Sequence, residues 1–158
     1  MDAEINTQSV PFSLIAKVMD DMPYDIAVIR LDGTIEFVNR HCAMIAGCGA
    51  AELVSKNVAE AGCPVFPWKT ELEFSAFAEK REEWKGELSY VRSDGSAGWG
   101  MVHLLPICGD DGLVTAFMYT NVDITQRVEA EEALRKSENR FRSILQNINE
   151  YIYSVEYV

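Results

Sequence analysis

Apolar and polar positions change period several times along this chain, and each change marks an element. Leu14, Ile15, Val18, Met19 and Met22 recur at helical spacing over Val10 to Met22 and predict an amphipathic helix that Pro23 ends. Asp25 to Leu31 and Thr34 to Val38 are short β-rich runs on either side of Asp32-Gly33, a pair suited to a tight hairpin turn. From Asn39 to about Lys56 the pattern is helical but broken at Gly47 and Gly49, with Asn39 placed to cap the first piece. Gly62 to Trp68 carries two prolines and predicts a loop. Glu71 to Trp84 predicts one helix that buries Leu72, Phe74 and Phe77.

Three strands are then expected, Gly86 to Arg92, Ala97 to Ile107 and Leu113 to Val122. They are joined by turns at Ser93-Asp94-Gly95-Ser96 and Gly109-Asp110-Asp111-Gly112. This order predicts an α+β domain: a five-stranded antiparallel sheet with its helices gathered on one side. Strand alternation separates Trp99, Met101, His103 and Leu105 from Gly100, Val102 and Leu104, and Ala116, Met118, Thr120 and Val122 from Phe117, Tyr119 and Asn121. Both faces are apolar, so both need cover. The small helices cover one face, and the other calls for the N-terminal helix or a partner subunit.

After Asp123-Ile-Thr125 the chain becomes rich in charge and free of Gly and Pro up to Leu145, which predicts an exit helix over 127–150. A heptad places Arg127, Leu134, Phe141 and Ile148 in one series and Ala130, Ser137, Ile144 and Tyr151 in the other. Its early part is weak, so a solvated single helix and a parallel two-stranded coil both stand. A faint repeat relates Ile15, Val18, Met19, Met22 and Ile26 to Phe141, Ile144, Leu145, Ile148 and Ile152. On that pattern residues 151–158 are expected to open the first strand of a second, truncated copy of the domain.

Length and charge narrow the function. The 158 residues suit one domain with an appendage: 1–24 as an N-terminal capping helix, 25–126 as the body, then the exit helix. No apolar run approaches the ~20 residues that cross a bilayer, and the acidic N-terminus is unlike a signal peptide, so a cytoplasmic chain without membrane contact is expected. A formal net charge of −11 argues against nucleic acid as a partner. Cys42, Cys48, Cys63 and Cys108 lack CxxC spacing and a nearby His pair, so reduced thiols are expected and no metal site. The chain has no Gly-rich phosphate loop and no nucleophile–base pair, so it does not read as an enzyme.

The ordered set of Ile35-Glu-Phe-Val-Asn39, Trp84-Lys-Gly-Glu87, Ser93-Asp-Gly-Ser96, Trp99 through Leu105-Pro106-Ile107, Gly112 and Asp123-Ile-Thr125 resembles a PAS domain with its PAC-type strands, from about Tyr24 to Arg127. Ser137-Glu-Asn-Arg-Phe-Arg142 is similar to the opening of a following PAS domain. The resemblance implies a sensory input domain. Tandem PAS sensors lie upstream of histidine kinases, diguanylate cyclases or phosphodiesterases in bacteria, and their exit helices bias the output. It also implies a homodimer, an output domain in the same polypeptide, and capping roles for Asp123 and Thr125. The alternative within the same family is a ligand-free dimerisation and relay module.

The input is less legible. Flavin photosensors of the family carry an Asn-Cys pair where this chain has Asn57-Val58, so the resemblance excludes covalent adduct chemistry. Heme-binding members carry a histidine on the helix before the third strand, and Glu71 to Trp84 has none, while His41 and His103 read as structural, so heme is disfavoured. The cofactor stays unknown, with non-covalent flavin or a small metabolite as the classes left. The inward candidates for ligand contact are Tyr90, Tyr119 and Asn121, with Asn121 where flavin-binding relatives place an amide. Gly100 is expected to open space, and Trp68, Phe66, Phe74 and Phe77 to line the mouth. For each aromatic, simple core filling is the competing role.

Overall fold

Turn chemistry and strand alternation together produce the sheet. In the computed structural model, which describes residues 11–156 except 65 and 69, β1 (Asp25–Arg30) and β2 (Ile35–Val38) pair antiparallel about the Asp32-Gly33 turn. There Gly33 has φ +87°, a left-handed backbone that glycine adopts without a Cβ penalty. The Asp32 carboxylate accepts from the Thr34 amide at 2.9 Å and holds the turn. β3 (Trp84–Val91), β4 (Ala97–Cys108) and β5 (Val114–Asp123) complete a five-stranded antiparallel sheet in the order β2-β1-β5-β4-β3. The first and last strands in sequence thus lie side by side at its centre, with Asp25 opposite Asn121.

The inner face carries Ala27, Ile29, Val102, Leu104, Phe117 and Tyr119, all buried, as the alternation requires. It closes over α2 (Arg40–Ala46), α3 (Ala50–Leu53) and α4 (Glu71–Ala78), whose Cys42, Leu53 and Phe74 are fully buried. Asn39 fixes where this layer begins. Its Oδ1 accepts from the Cys42 amide, capping α2, and from the Ile26 amide of β1, each at 3.0 Å. Its Nδ2 donates to the Tyr24 carbonyl at 2.8 Å and to the Met19 carbonyl at 3.1 Å, so one buried amide joins three segments. Gly47, at φ +74°, ends α2 in the left-handed conformation.

Within the domain body and its N-terminal helix the structure departs from the sequence reading in three places. α4 stops at Ala78 instead of reaching Trp84, because Arg81 takes φ +52° and Trp84 already pairs with Leu104 in the sheet. Leu72, expected inside, is 79% exposed. α1 (Phe12–Asp20) forms, but Leu14, Ile15 and Val18 remain exposed, and its Asp20 and Asp21 pair instead with Arg40 of α2. Residues 1–10 of the expected capping segment lie outside the described residues. The outer sheet face therefore keeps Trp99, Ile107 and Val122 exposed.

Beyond Asp123 the chain forms a second compact unit made of one helix, α5 (Thr125–Glu156). The strand expected over 151–158 is not formed through Glu156, where the helix simply continues, and residues 157–158 lie outside the described ones. A strand must find a sheet edge, whereas a helix propagates by adding one internal hydrogen bond per residue. α5 carries the pairs Arg127–Glu131 at 2.9 Å and Glu132–Lys136 at 3.0 Å along its surface. No described helix is long and apolar enough to cross a membrane.

Candidate functional site

The central strands carry a polar group where an apolar one would be expected. Asp25 opens β1 at an inward position and is only 1% exposed. A carboxylate taken out of water must be met by donors, and two arrive from different elements. His41 Nδ1 of α2 lies 2.7 Å from Asp25 Oδ1, and Asn121 Nδ2 of β5 donates to Asp25 Oδ2 at 2.8 Å. The Asn121 Oδ1 is buried and has no hydrogen-bond partner among the described residues. That acceptor is the one side-chain polar atom in the described interior left unanswered.

Asn121 stands opposite Val102 in β4, and its amide lies beside the Tyr90 hydroxyl of β3. Val102 and Tyr90 both border a cleft of about 420 Å³, together with Leu88, Ser89 and Val91 of β3 and with Pro64, Phe66 and Pro67 of the loop between α3 and α4. The volume is that of a small-molecule site, and the lining is chiefly apolar. Partial burial and the negative charge of Asp123 push the Tyr90 hydroxyl above its ordinary value, while Arg92 and the Asn121 amide pull it down. Arg92 lies over the Tyr90 ring at 5.6 Å and pairs with Asp123 at 2.6 Å, so the cleft rim and the end of β5 share one cation. That charge pair raises the Arg92 guanidinium above its already high value.

The residues singled out from sequence are not all brought to this cleft. Tyr90 lines it, whereas Asn121, beside Val102 in the sheet register, is not among the lining residues and carries its open acceptor over Gly100. The space over Gly100 is not free for a ligand, because a Cβ there would lie 2.0 Å from Asn121 Oδ1: the amide itself occupies it. Tyr119 is fully buried and packs edge-on against Phe66 at 5.1 Å, which makes it a core residue; burial drives its hydroxyl well above the ordinary range. Phe74 is likewise fully buried, beneath Trp68 at 4.9 Å. Trp68 and Phe77 border a separate, smaller hollow of about 150 Å³ with Trp84, Leu88 and Leu104. Asp123, expected as a cap, carries the ion pair with Arg92.

Asp25 and Arg92 escaped the sequence reading, and His41 entered it only as a structural residue. The available signal was a carboxylate at the first inward position of Asp25-Ile-Ala-Val-Ile, a placement that demands buried partners. Which partners could be read only once β1 and β5 were side by side.

Solved structures of PAS domains resemble this one, three of them as follows. The PAS domain of an HTR-like protein from Haloarcula marismortui shares 25% identity over 71% of this chain and 90% of that one, with a TM-score of 0.56. The PAS domain of a protein from Colwellia psychrerythraea shares 26% identity over 72% and 97%, with a TM-score of 0.57. The PAS domain of BvgS from Bordetella pertussis, at 19% identity over 81% and 96% and a TM-score of 0.61, shares the fold. Residues 19–129 match the pattern of the PAS fold, the family of sensory and signalling modules to which this chain belongs.

Proposed function

We propose that the domain is a ligand-responsive sensory input module whose state passes through α5 to an output domain, a kinase or a cyclic-dinucleotide enzyme, in the same polypeptide. The observation that carries the ligand reading is the buried, unanswered Asn121 Oδ1, next in the sheet to Val102, which borders a cleft of about 420 Å³. An acceptor so placed favours a small molecule that presents an N–H or O–H donor from an otherwise apolar body. The lining fits a non-covalent flavin edge or a small metabolite. The Tyr90–Arg92–Asp123 contacts offer a route by which occupancy would alter the end of β5, one residue ahead of Ile124 and α5.

The test is the absorption spectrum of the freshly purified chain, with mass spectrometry of what denaturation releases. A flavin band or one defined small molecule, lost in Asn121→Leu, supports the reading. Release of nothing, together with no thermal shift across a library of flavins and metabolites, overturns it.

The second reading, a ligand-free dimerisation and relay module, is favoured by the amide filling the space over Gly100 and by the aromatic packing of Phe66, Phe74, Phe77 and Tyr119. Under both readings the working form is a homodimer in the cytoplasm. Leu134, Phe141, Ile144, Ile148 and Tyr151 are exposed on α5 in the single chain, which supports pairing of α5 with its copy.

A further inference from the structure

Two thiols meet in the core directly beside the loop that walls the cleft. Cys42 of α2 is fully buried and Cys63 is 6% exposed; neither is in a disulfide, and both belong to the same packed cluster. The Cys42 thiol hydrogen-bonds to Cys63, and Tyr119 and Asp25 face the same spot. Contact with Cys63 and burial drive the Cys42 thiol far above the ordinary range. Cys48 lies on the same side, half-buried, beside Glu52 and Lys56. Cys108 is exposed on the far end of β4. A metal does not account for the pair: no group of three or more ligating side chains able to hold an ion occurs among the described residues.

We infer that Cys42 and Cys63 form a reversible dithiol–disulfide couple that fastens the 62–68 loop, and with it the Pro64, Phe66 and Pro67 wall of the cleft, to α2. The co-reactant is a low-molecular-weight disulfide. One of the two protein thiols loses its proton and attacks a sulfur of that disulfide, forming a mixed disulfide and releasing one thiol. The other then loses its proton and attacks the protein sulfur of that mixed disulfide, releasing the second thiol and leaving the intramolecular bridge. The two protein thiols are oxidised and the external disulfide is reduced to two thiols. Because sulfurs that already touch need little backbone movement to bond, the bridge suits the native fold. In a reducing compartment such a pair is transient and responsive, not a permanent staple. The couple stands apart from the ligand reading, since it requires no occupant of the cleft.

The test oxidises the intact chain with oxidised glutathione under native conditions, alkylates the remaining thiols after unfolding, and maps non-reduced tryptic peptides by mass spectrometry. Cys63 falls in peptide 57–69, while Cys42 and Cys48 share peptide 41–56, so Cys48→Ser makes the assignment. The expected result is a 41–56/57–69 cross-link lacking two hydrogens. It should be retained in Cys48→Ser, lost in Cys42→Ala, and reversed by dithiothreitol. A cross-link that disappears in Cys48→Ser overturns the proposal. So does an oxidised sample in which Cys42 and Cys63 remain fully alkylated, or in which the sole bridge joins Cys108 of two chains. Cys48 is only partly buried at the margin of the core and Cys48→Ser is nearly isosteric, so the decision does not depend on whether Cys42→Ala folds.

Discussion

Gly100 and Asn121 can be understood only together. A Cβ at position 100 would stand 2.0 Å from Asn121 Oδ1, and the amide cannot swing away without giving up its 2.8 Å bond to the buried Asp25. Gly100→Ala should therefore cost about 1–3 kcal/mol, the range for overpacking a dense interior. Pairing it with Asn121→Ala should recover part of that loss, as a double-mutant cycle by urea unfolding would show. Equal losses with and without Asn121 would mean that the clash lies elsewhere. Asp25→Ala should be worse, by about 3 kcal/mol or more, since removing the carboxylate leaves the buried Asn121 amide without its acceptor and the half-buried His41 ring of α2 without its partner. The same buried pair also explains why Asn121 keeps one acceptor open: its donor side is committed to Asp25.

At the scale of elements, two hairpin turns use the same carboxylate device. Asp32 accepts from the Thr34 amide and Asp94 from the Ser96 amide, each at 2.9 Å; the Thr34 amide bond for Asp32, and the Ser96 hydroxyl followed by its amide for Asp94, hold both carboxyls below the ordinary value of 3.8. A carboxyl that is more acidic in the folded state stabilises the fold above pH 3.8 and ceases to do so as the pH falls through its lowered value. Acid unfolding should accordingly be less steep in Asp32→Asn than in the parent below about pH 4. Identical slopes in thermal melts across that range would remove the turn carboxylate from the account. Helix ends belong to the same scale. Arg81 at φ +52° ends the α4 region so that Trp84 can enter the sheet, a tertiary demand that overrode the helix propensity of the charged 79–83 run.

For the whole molecule the open matter is what covers its apolar surfaces. Leu14, Ile15 and Val18 of α1, Trp99, Ile107 and Val122 on the outer sheet face, and the α5 stripe are all exposed in the single chain. If α5 pairs with its copy, Leu134→Asp or Phe141→Asp should weaken the dimer roughly tenfold or more in sedimentation equilibrium, about 1.4 kcal/mol per tenfold. Unchanged association would move the contact to α1 or the sheet face, which Val18→Asp and Val122→Asp would then test.

The amino-acid sequence determined the hairpin at Asp32-Gly33, the five strands, the Asn39 cap and the inward series Val102, Leu104, Phe117 and Tyr119, because each follows from local turn chemistry or a period of two. It also singled out Tyr90 and Asn121, since a polar group in an inward series is conspicuous wherever the strand lies. It could not say that Asp25 would meet Asn121, or that the amide would fill the space over Gly100. Nor could it show that Cys42 would touch Cys63. Those contacts join residues far apart in the chain, and they exist only because β5 lies between β1 and β4 and the small helices close over that face. The repeat that suggested a strand after Tyr151 failed for the same reason. A strand is completed by its neighbours, whereas a helix carries its hydrogen bonds within itself.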